Sequence, residues 1–348
     1  MKRLALIMIA RDEADAIARC LESVRGVVDE MIVLDTGSVD ATAEIARAHG
    51  AQVHSFAWGD DFAAARNAAL ALSSSAWNLV LDADEWLEGG CGELDAVLSG
   101  PPVIGLLPVT SEFDLAGRIE RSTSWIARLL PRDVRYAGRI HEQPQSALPR
   151  QRLALPVHHD GYRQEALARK HGRNESLLLR ALEEQPHDPY LLYQLGKNRE
   201  TGGDFAGAAP HYRRALDLSA PDAAFRHDLV VRAIYTMKKA QLHQEAIALA
   251  DAEMPNWPAS PDYYFALGDL LLDWATLNPD AADELLPMVE ASFQRCLDIG
   301  DQPQLDGSVH GRGSHLAAHN LAVFYDGLGN AARADAYRRL AQGGGDKA

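Results

Sequence analysis

The chain has 348 residues and a mass of 37.9 kDa, a length that suits two domains. Hydrophobic residues make up 47% and charged residues 24%, which describes a soluble globular protein and excludes a mostly disordered one. The net charge is −15, with 16 basic against 24 acidic side chains up to Glu165 and 18 against 25 beyond it, so neither half suits general nucleic-acid or anionic-membrane binding.

The first hundred residues alternate strand and helix. Leu4–Ile9 is continuously apolar, as expected of a strand buried on both faces. It faintly imitates a signal peptide, but the apolar run is short and Arg11-Asp12-Glu13 follows it without a small-residue cleavage site. Asp12–Arg25 carries helical spacing through Ala14, Ile17, Ala18, Leu21 and Val24. Met31–Leu34 reads as a second strand. Asp40 stands where an N-cap belongs, ahead of a helix from Thr42 to His49 that Gly50 ends. Gln52–Phe56 is a third strand, Asp61–Leu72 an Ala-rich helix, and Leu79–Leu81 a fourth strand. The alternation implies an α/β, Rossmann-like, mostly parallel sheet that binds ligands at the carboxyl ends of its strands.

From about Arg163 the pattern becomes helix only. A long helical stretch, Leu167–Glu184, comes first. Leu192, Leu195, Gly196, Ala208, Tyr212 and Ala215 then fit the helix–turn–helix spacing of a tetratricopeptide repeat. A later copy matches at Leu321, Ala322, Tyr325, Ala334 and Ala341. Val230–Glu253 and Tyr264–Leu297 read as degenerate copies, with Asn278–Leu286 as an insertion. A plain helical bundle would share much of this pattern. The expected layout is therefore 1–165 for the sheet domain, 166–185 for a connecting helix, and 186–345 for an all-α, tetratricopeptide-like domain. Cys20, Cys91 and Cys296 are odd in number and far apart, so a disulfide framework or structural zinc site is not expected, and a reducing, cytoplasmic setting fits. No apolar run approaches the ~20 residues that span a bilayer.

Several segments could carry chemistry. Asp82-Ala83-Asp84-Glu85 ends an apolar strand, and residues two apart in a strand point to the same side. Two carboxylates at ~4 Å repel by ~4 kcal/mol at an effective dielectric of about 20. A divalent cation would offset this, and hard oxygen ligands suit magnesium or manganese. A solvated acidic turn gives the same pattern. Asp35 follows the second strand, where an acidic side chain suits hydrogen bonding to a ribose or base edge. Asp40 is better read as a helix cap. Arg118, Arg121, Arg128, Arg132, Arg135 and Arg139 cluster in an otherwise acidic chain. Their forks could hold a pyrophosphate, or could pair with Glu112, Asp114, Glu120 and Asp133. In Arg139-Ile140-His141-Glu142-Gln143, either His141 or Glu142 could serve as a general base. His158-His159-Asp160-Gly161-Tyr162 adds two more imidazoles. No nucleophile elbow, GxGxxG or Walker loop is present.

Taken in order, six segments resemble the family 2 glycosyltransferases of the GT-A fold. They are Ile9-Ala10-Arg11-Asp12-Glu13, Asp35-Thr36-Gly37-Ser38-Val39-Asp40-Ala41-Thr42, Phe56 to Phe62 with Arg66-Asn67, Asp82-Ala83-Asp84-Glu85, Arg139 to Gln143, and His159 to Tyr162. With the repeats they are similar to the bacterial branch that includes sublancin-type peptide S-glycosyltransferases. The resemblance implies inverting transfer from a nucleotide-sugar, usually a UDP-sugar, with Mn2+ or Mg2+ as cofactor. It implies that Asp35, helped by Ala10 and Glu13, holds the nucleoside end. Arg66, Asp82, Ala83 and Arg128 fall on the nucleotide-sugar side. Asp84 would ligate the metal with Asp82 and His159, and Glu142 sits where the base is expected, with His141 as its rival. Family members usually read Asn-Glu in the first motif, whereas this chain has Asp12 before Glu13, which weakens a nucleotide contact at that position. The acceptor expected first is a peptide or protein, then a lipopolysaccharide or other glycan. A nucleotide-sugar-binding adaptor without turnover is the competing class. Pairing of chains into a homo-oligomer is also compatible with the repeats.

Overall fold

The computed structural model describes residues 2–89, 91–115, 118–159 and 164–345. The chain divides into two compact units, Met1–Glu184 and Gln185–Ala348.

The first unit is built on a mixed sheet. Its opening strands are β1 (Leu4–Ala10), β2 (Glu30–Asp35), β3 (Gln52–Ser55) and β4 (Trp77–Val80). All pair in parallel in the order β3-β2-β1-β4. The helices between them are α1 (Ile17–Ser23), α2 (Thr42–Ala48) and α3 (Phe62–Leu72). The apolar run of β1 hides an alternation. Leu4, Leu6, Met8 and Ala10 pack with Ile17, Cys20 and Leu21 of α1 and Ala46 of α2. Ala5 and Ile7 pack with Ala63, Ala65, Ala69 and Leu70 of α3. A strand covered by helices on both faces needs apolar residues at every position, which is why it reads as one block.

Beyond β4 the sheet changes character. After β5 (Glu85–Leu87) and α4 (Leu94–Ser99) come two long strands, β6 (Ile104–Leu115) and β7 (Arg118–Pro131). They form an antiparallel hairpin, and β7 also runs antiparallel to β4. A small hairpin of β8 (Arg135–Ala137) and β9 (Gln143–Gln145) follows. Then β10 (Arg150–Arg152) and β11 (Val157–His159) both lie parallel to β6, and β11 pairs with β5. The sheet therefore continues β4-β7-β6-β11-β5. The unit ends with α5 (Gln164–Glu184), the helix expected as a connector.

The second unit is helical in successive pairs. These are α6 (Pro189–Thr201) with α7 (Phe205–Leu218), and α8 (Arg226–Lys239) with α9 (His243–Glu253). The remaining pairs are α10 (Pro261–Leu277) with α11 (Ala282–Ile299), and α12 (His315–Gly327) with α13 (Ala331–Gly345). Asp188, Asp204 and Ser260 cap α6, α7 and α10 by accepting backbone N–H bonds. Small residues let the pairs close. A methyl group added at Gly196 would lie 2.6 Å from the Tyr212 ring, and one at Gly268 would lie 3.0 Å from that of Phe293. This is the tetratricopeptide arrangement of the sequence, including the degenerate middle copies. The expected insertion at Asn278–Leu286 is not one. Asn278 ends α10, Pro279–Ala281 is a single 3-10 turn, and the rest is the start of α11. One proline and three acidic residues in this stretch mimic a loop, but they fall at helix starts, where both are tolerated. Among the described residues, no helix is long and apolar enough to cross a membrane.

Candidate active site

The carboxyl ends of β1, β2 and β4 carry the acidic motifs, because a parallel sheet points these ends the same way. Ala10 is opposite Asp35 in the β1–β2 ladder, and its carbonyl accepts from Thr36 N at 2.9 Å and Thr36 Oγ1 at 3.2 Å. Asp35 Oδ1 accepts from Ser38 N at 3.0 Å and Ser38 Oγ at 2.6 Å, which holds its carboxylate at the strand end. Glu13 N donates to Thr42 Oγ1 at 2.8 Å, tying the loop after β1 to the start of α2. Asp40 is used structurally. It accepts from Thr42 N at 2.9 Å and Ala14 N at 3.1 Å, joining the same two segments. Asp12 has a left-handed backbone, φ 54°, and accepts from Val39 N at 2.8 Å. Asn and Asp are the side-chain-bearing residues that best tolerate this conformation, so Asp12 keeps the backbone requirement of an Asn position.

The other site residues form one chain of charges. Arg66, in α3, donates through Nη2 to Asp82 Oδ1 at 2.7 Å and through Nε to Glu142 Oε1. Arg128, on β7, donates through Nη2 to Asp82 Oδ2 at 2.8 Å and to Glu85 Oε1. Glu85 Oε2 also accepts from Asp82 N at 3.0 Å. The order is Glu142–Arg66–Asp82–Arg128–Glu85. Side-chain exposure is 9% for Glu142, 8% for each arginine and 3% for Glu85, whereas Asp82 reaches 35%. Burial works against the charge of Asp82, but Arg66 and Arg128 outweigh it and hold its pKa well below the usual carboxylate range. Burial raises the pKa of Glu85, opposed by Arg128. Tyr136 lies below Arg66, with its ring centroid 5.8 Å from the guanidinium carbon, and burial pushes its hydroxyl up to about 12.

Glu142 is delivered to this chain by local geometry. Gly138 and His141 both have positive φ, 102° and 50°, so the loop between β8 and β9 turns sharply. Asn67, the neighbour of Arg66, exchanges two bonds with the backbone of Tyr136, Nδ2 to O at 2.9 Å and N to Oδ1 at 2.8 Å. One Arg-Asn pair on α3 thus fixes both the β8 strand and the candidate base. His141 sits in the turn itself, its carbonyl accepting from Gln143 Nε2 at 3.3 Å.

Asp84 and His159 meet separately. His159 lies opposite Glu85 in the β11–β5 ladder, which brings its Nε2 to 3.4 Å from Asp84 Oδ2. Its Nδ1 is 3.1 Å from Ser111 Oγ, a contact that orients the ring. Ala83, buried, separates the two aspartates. Sequence reasoning placed Asp82 and Asp84 together at one cation. Here both oxygens of Asp82 are engaged by arginines, and that pairing offsets the repulsion. Among the described residues, no group of three or more His, Cys, Asp or Glu is gathered for a metal. Asp84 and His159 offer one carboxylate and one imidazole, a set that fits a hard cation taking its other ligands from phosphate and water.

Of the arginine cluster, Arg121 pairs with Glu112 at 3.1 Å, as reasoned from sequence. Arg139 pairs with Glu184 at 3.1 Å, and Arg135 donates to the carbonyls of Arg132 and Val134. Arg132 makes a long 3.5 Å contact with the Ser74 carbonyl. The side chains of Arg118 and Asp114, and residues Asp160, Gly161 and Tyr162, lie outside the described residues. The contributions of Asn67, Ser111 and Tyr136 were not foreseen. Only the Arg-Asn doublet hinted at one of them.

Comparison with known proteins follows the division of the chain. Residues 5–94 match the family model described as Glycosyl transferase family 2. A TPR repeat-containing protein of Synechococcus elongatus is 37% identical over 246 residues, covering 66% of this chain and 60% of the relative. The SPbeta prophage-derived glycosyltransferase SunS of Bacillus subtilis is 28% identical over 201 residues, covering 55% of this chain and 47% of the relative. The chain thus spans only 60% and 47% of the length of these relatives. Among solved structures, MamA from Desulfovibrio magneticus matches with a TM-score of 0.39 at 18% identity, over 51% of this chain and 88% of that one. Residues 5–94, with their parallel strands and acidic strand ends, are a family 2 glycosyltransferase domain, and the same chain continues into tetratricopeptide-like helix pairs.

Proposed function

We propose that this protein is an inverting glycosyltransferase that moves a sugar from a UDP-sugar to an acceptor, with a polypeptide as the acceptor class. The observation that carries the reading is the Glu142–Arg66–Asp82–Arg128 chain at the carboxyl end of the sheet. It joins a donor-side carboxylate to a buried candidate base through one guanidinium. Asp35, with the Ala10 and Glu13 segment, forms the nucleoside end. Asp82 faces the ribose, held in one orientation by Arg66 and Arg128. Glu142 takes the proton of the attacking acceptor group as the new glycosidic bond forms and the bond to UDP breaks. We assign Glu142 over His141 because its carboxylate is fixed by Arg66. The transition state carries oxocarbenium character, so attack comes from the face opposite the leaving diphosphate.

A divalent cation, manganese or magnesium, supplies positive charge against the leaving diphosphate when bound. Asp84 and His159 would hold it, and Asp82 stays with the arginines. The polypeptide acceptor rests on the helical repeats, whose stacked pairs form surfaces suited to extended chains. The test is release of UDP from UDP-glucose, UDP-galactose and their N-acetylated counterparts, with and without manganese. Slow manganese-dependent release in the absence of acceptor, with water as the nucleophile, supports the enzyme. Binding of a UDP-sugar without any release would make the chain a nucleotide-sugar-binding adaptor.

A further inference from the structure

Arg66 occupies an unusual place among the charged groups of the site. It is 8% exposed and bonds two carboxylates that are 60 positions apart in sequence order, Asp82 and Glu142. Its third nitrogen, Nη1, is buried and has no hydrogen-bond partner. A buried cation carries a desolvation cost, and a buried unmatched donor adds to it. Arg128 also bonds Asp82, at 2.8 Å, but it serves Glu85 as well, so two guanidiniums share three carboxylates and Arg66 contributes to their charge balance. What Arg66 adds besides is the link to Glu142.

The guanidinium is planar and rigid, so two carboxylates bonded to one fork hold a fixed relation to each other. Arg66 is itself fixed from behind by α3, where Asn67 grips the backbone of Tyr136 and so anchors the hairpin that carries Glu142. Nε holds Oε1 of Glu142, which leaves Oε2 outside that bond. Asp82 is the member of the chain that reaches solvent, so a donor meets Asp82 while Glu142 stays shielded.

We propose that Arg66 is a positioning residue: it sets Glu142 Oε2 toward the acceptor and holds this base in register with the donor-side carboxylate Asp82. The inference rests on the glycosyltransferase reading above. It goes further by assigning Arg66 to alignment of the base. A lysine at this position keeps the positive charge but is a compact, rotatable donor without the planar fork that fixes two carboxylates relative to each other.

The experiment uses the full chain and the UDP-sugar that gives the fastest manganese-dependent UDP release. Arg66→Lys, Glu142→Gln and the double variant are compared for kcat and donor KM, with thermal midpoints measured alongside. A misplaced base typically costs up to about a hundredfold, so Arg66→Lys lowers kcat ten- to hundredfold and leaves donor KM within about threefold. In the Glu142→Gln background the same substitution has little further effect, because the base it aligns is gone. If Arg66→Lys does not fold, Arg66→Gln, which keeps an N–H donor, replaces it in the same cycle. Three outcomes overturn the proposal: wild-type kcat in the lysine variant, a rise in donor KM at unchanged kcat, or a loss fully additive with Glu142→Gln. A Glu142→Gln variant with wild-type turnover would instead overturn the assignment of the base, whatever Arg66 does.

Discussion

Gly196→Ala tests the packing of the first helix pair. The added methyl would lie 2.6 Å from both Cδ1 and Cε1 of Tyr212 and 3.1 Å from Cγ. Carbon atoms rest at about 3.5–4.0 Å, so the ring must retreat by roughly 1 Å. Tyr212 is fully buried, and its hydroxyl is bonded to Glu200. Glu200 in turn bonds Arg232 at 2.8 Å, and Arg232 bonds Asp228 at 2.8 Å. Alanine gains about 0.5–1 kcal/mol of helix propensity over glycine. Overpacking costs about 1–3 kcal/mol, and weakening a bond to a charged group adds about 1.5–3 kcal/mol. The net expectation is a loss of about 1.5–5.5 kcal/mol, read as a lower urea midpoint of the full chain by far-ultraviolet circular dichroism. Tyr212→Ala in the same molecule removes the obstacle. In that background Gly196→Ala should be neutral or stabilising. A Gly196→Ala variant as stable as the wild type would refute the claim that these helices close on the glycine.

Asp228 supplies a pH dependence. Burial alone would raise its pKa, but Arg232, Lys197 and the Tyr193 hydroxyl outweigh burial and hold it at about 2, below the ordinary 3.8. A depressed carboxylate stabilises the fold above its unfolded pKa, so about 2 kcal/mol is present above pH 4 and is lost between pH 4 and pH 2. The stability gap between wild type and Asp228→Asn should narrow over that interval, and a constant gap would contradict the assignment. Arg128→Met removes the cation from Glu85, whose side chain is 3% exposed, and leaves a buried carboxylate unpaired. It should lower stability by about 3–5 kcal/mol, and an unchanged thermal midpoint would show that Arg128 is dispensable to the fold. Asp84→Asn, an isosteric change, should abolish manganese-dependent UDP release while the chain stays folded by far-ultraviolet circular dichroism. Retention of the wild-type manganese response would remove Asp84 from the ligand pair.

Much of this molecule was legible in the order of its residues, for a local reason. β1, β2 and β4 are short apolar runs, and α3 has an aspartate cap and small-residue periodicity. Such signals are complete within a dozen residues. The helix pairs repeat a spacing of small and aromatic residues set by contact between neighbouring helices, so even the degenerate copies kept their outline. The β6–β7 hairpin escaped notice because its strands mix polar and apolar residues, and its pairing decides which residues are strand. The acidic motifs were visible, but their partners were not. Asp82 lies 16 positions from Arg66 and 46 from Arg128, and Arg66 lies 76 from Glu142. Coulomb attraction acts through space and leaves no periodic trace in the chain. The sequence therefore determined which carboxylates stand at the strand ends. Only the tertiary structure decided that Asp82 is engaged by two arginines, that Asp84 faces His159, and that Glu142 is held by the same guanidinium as Asp82.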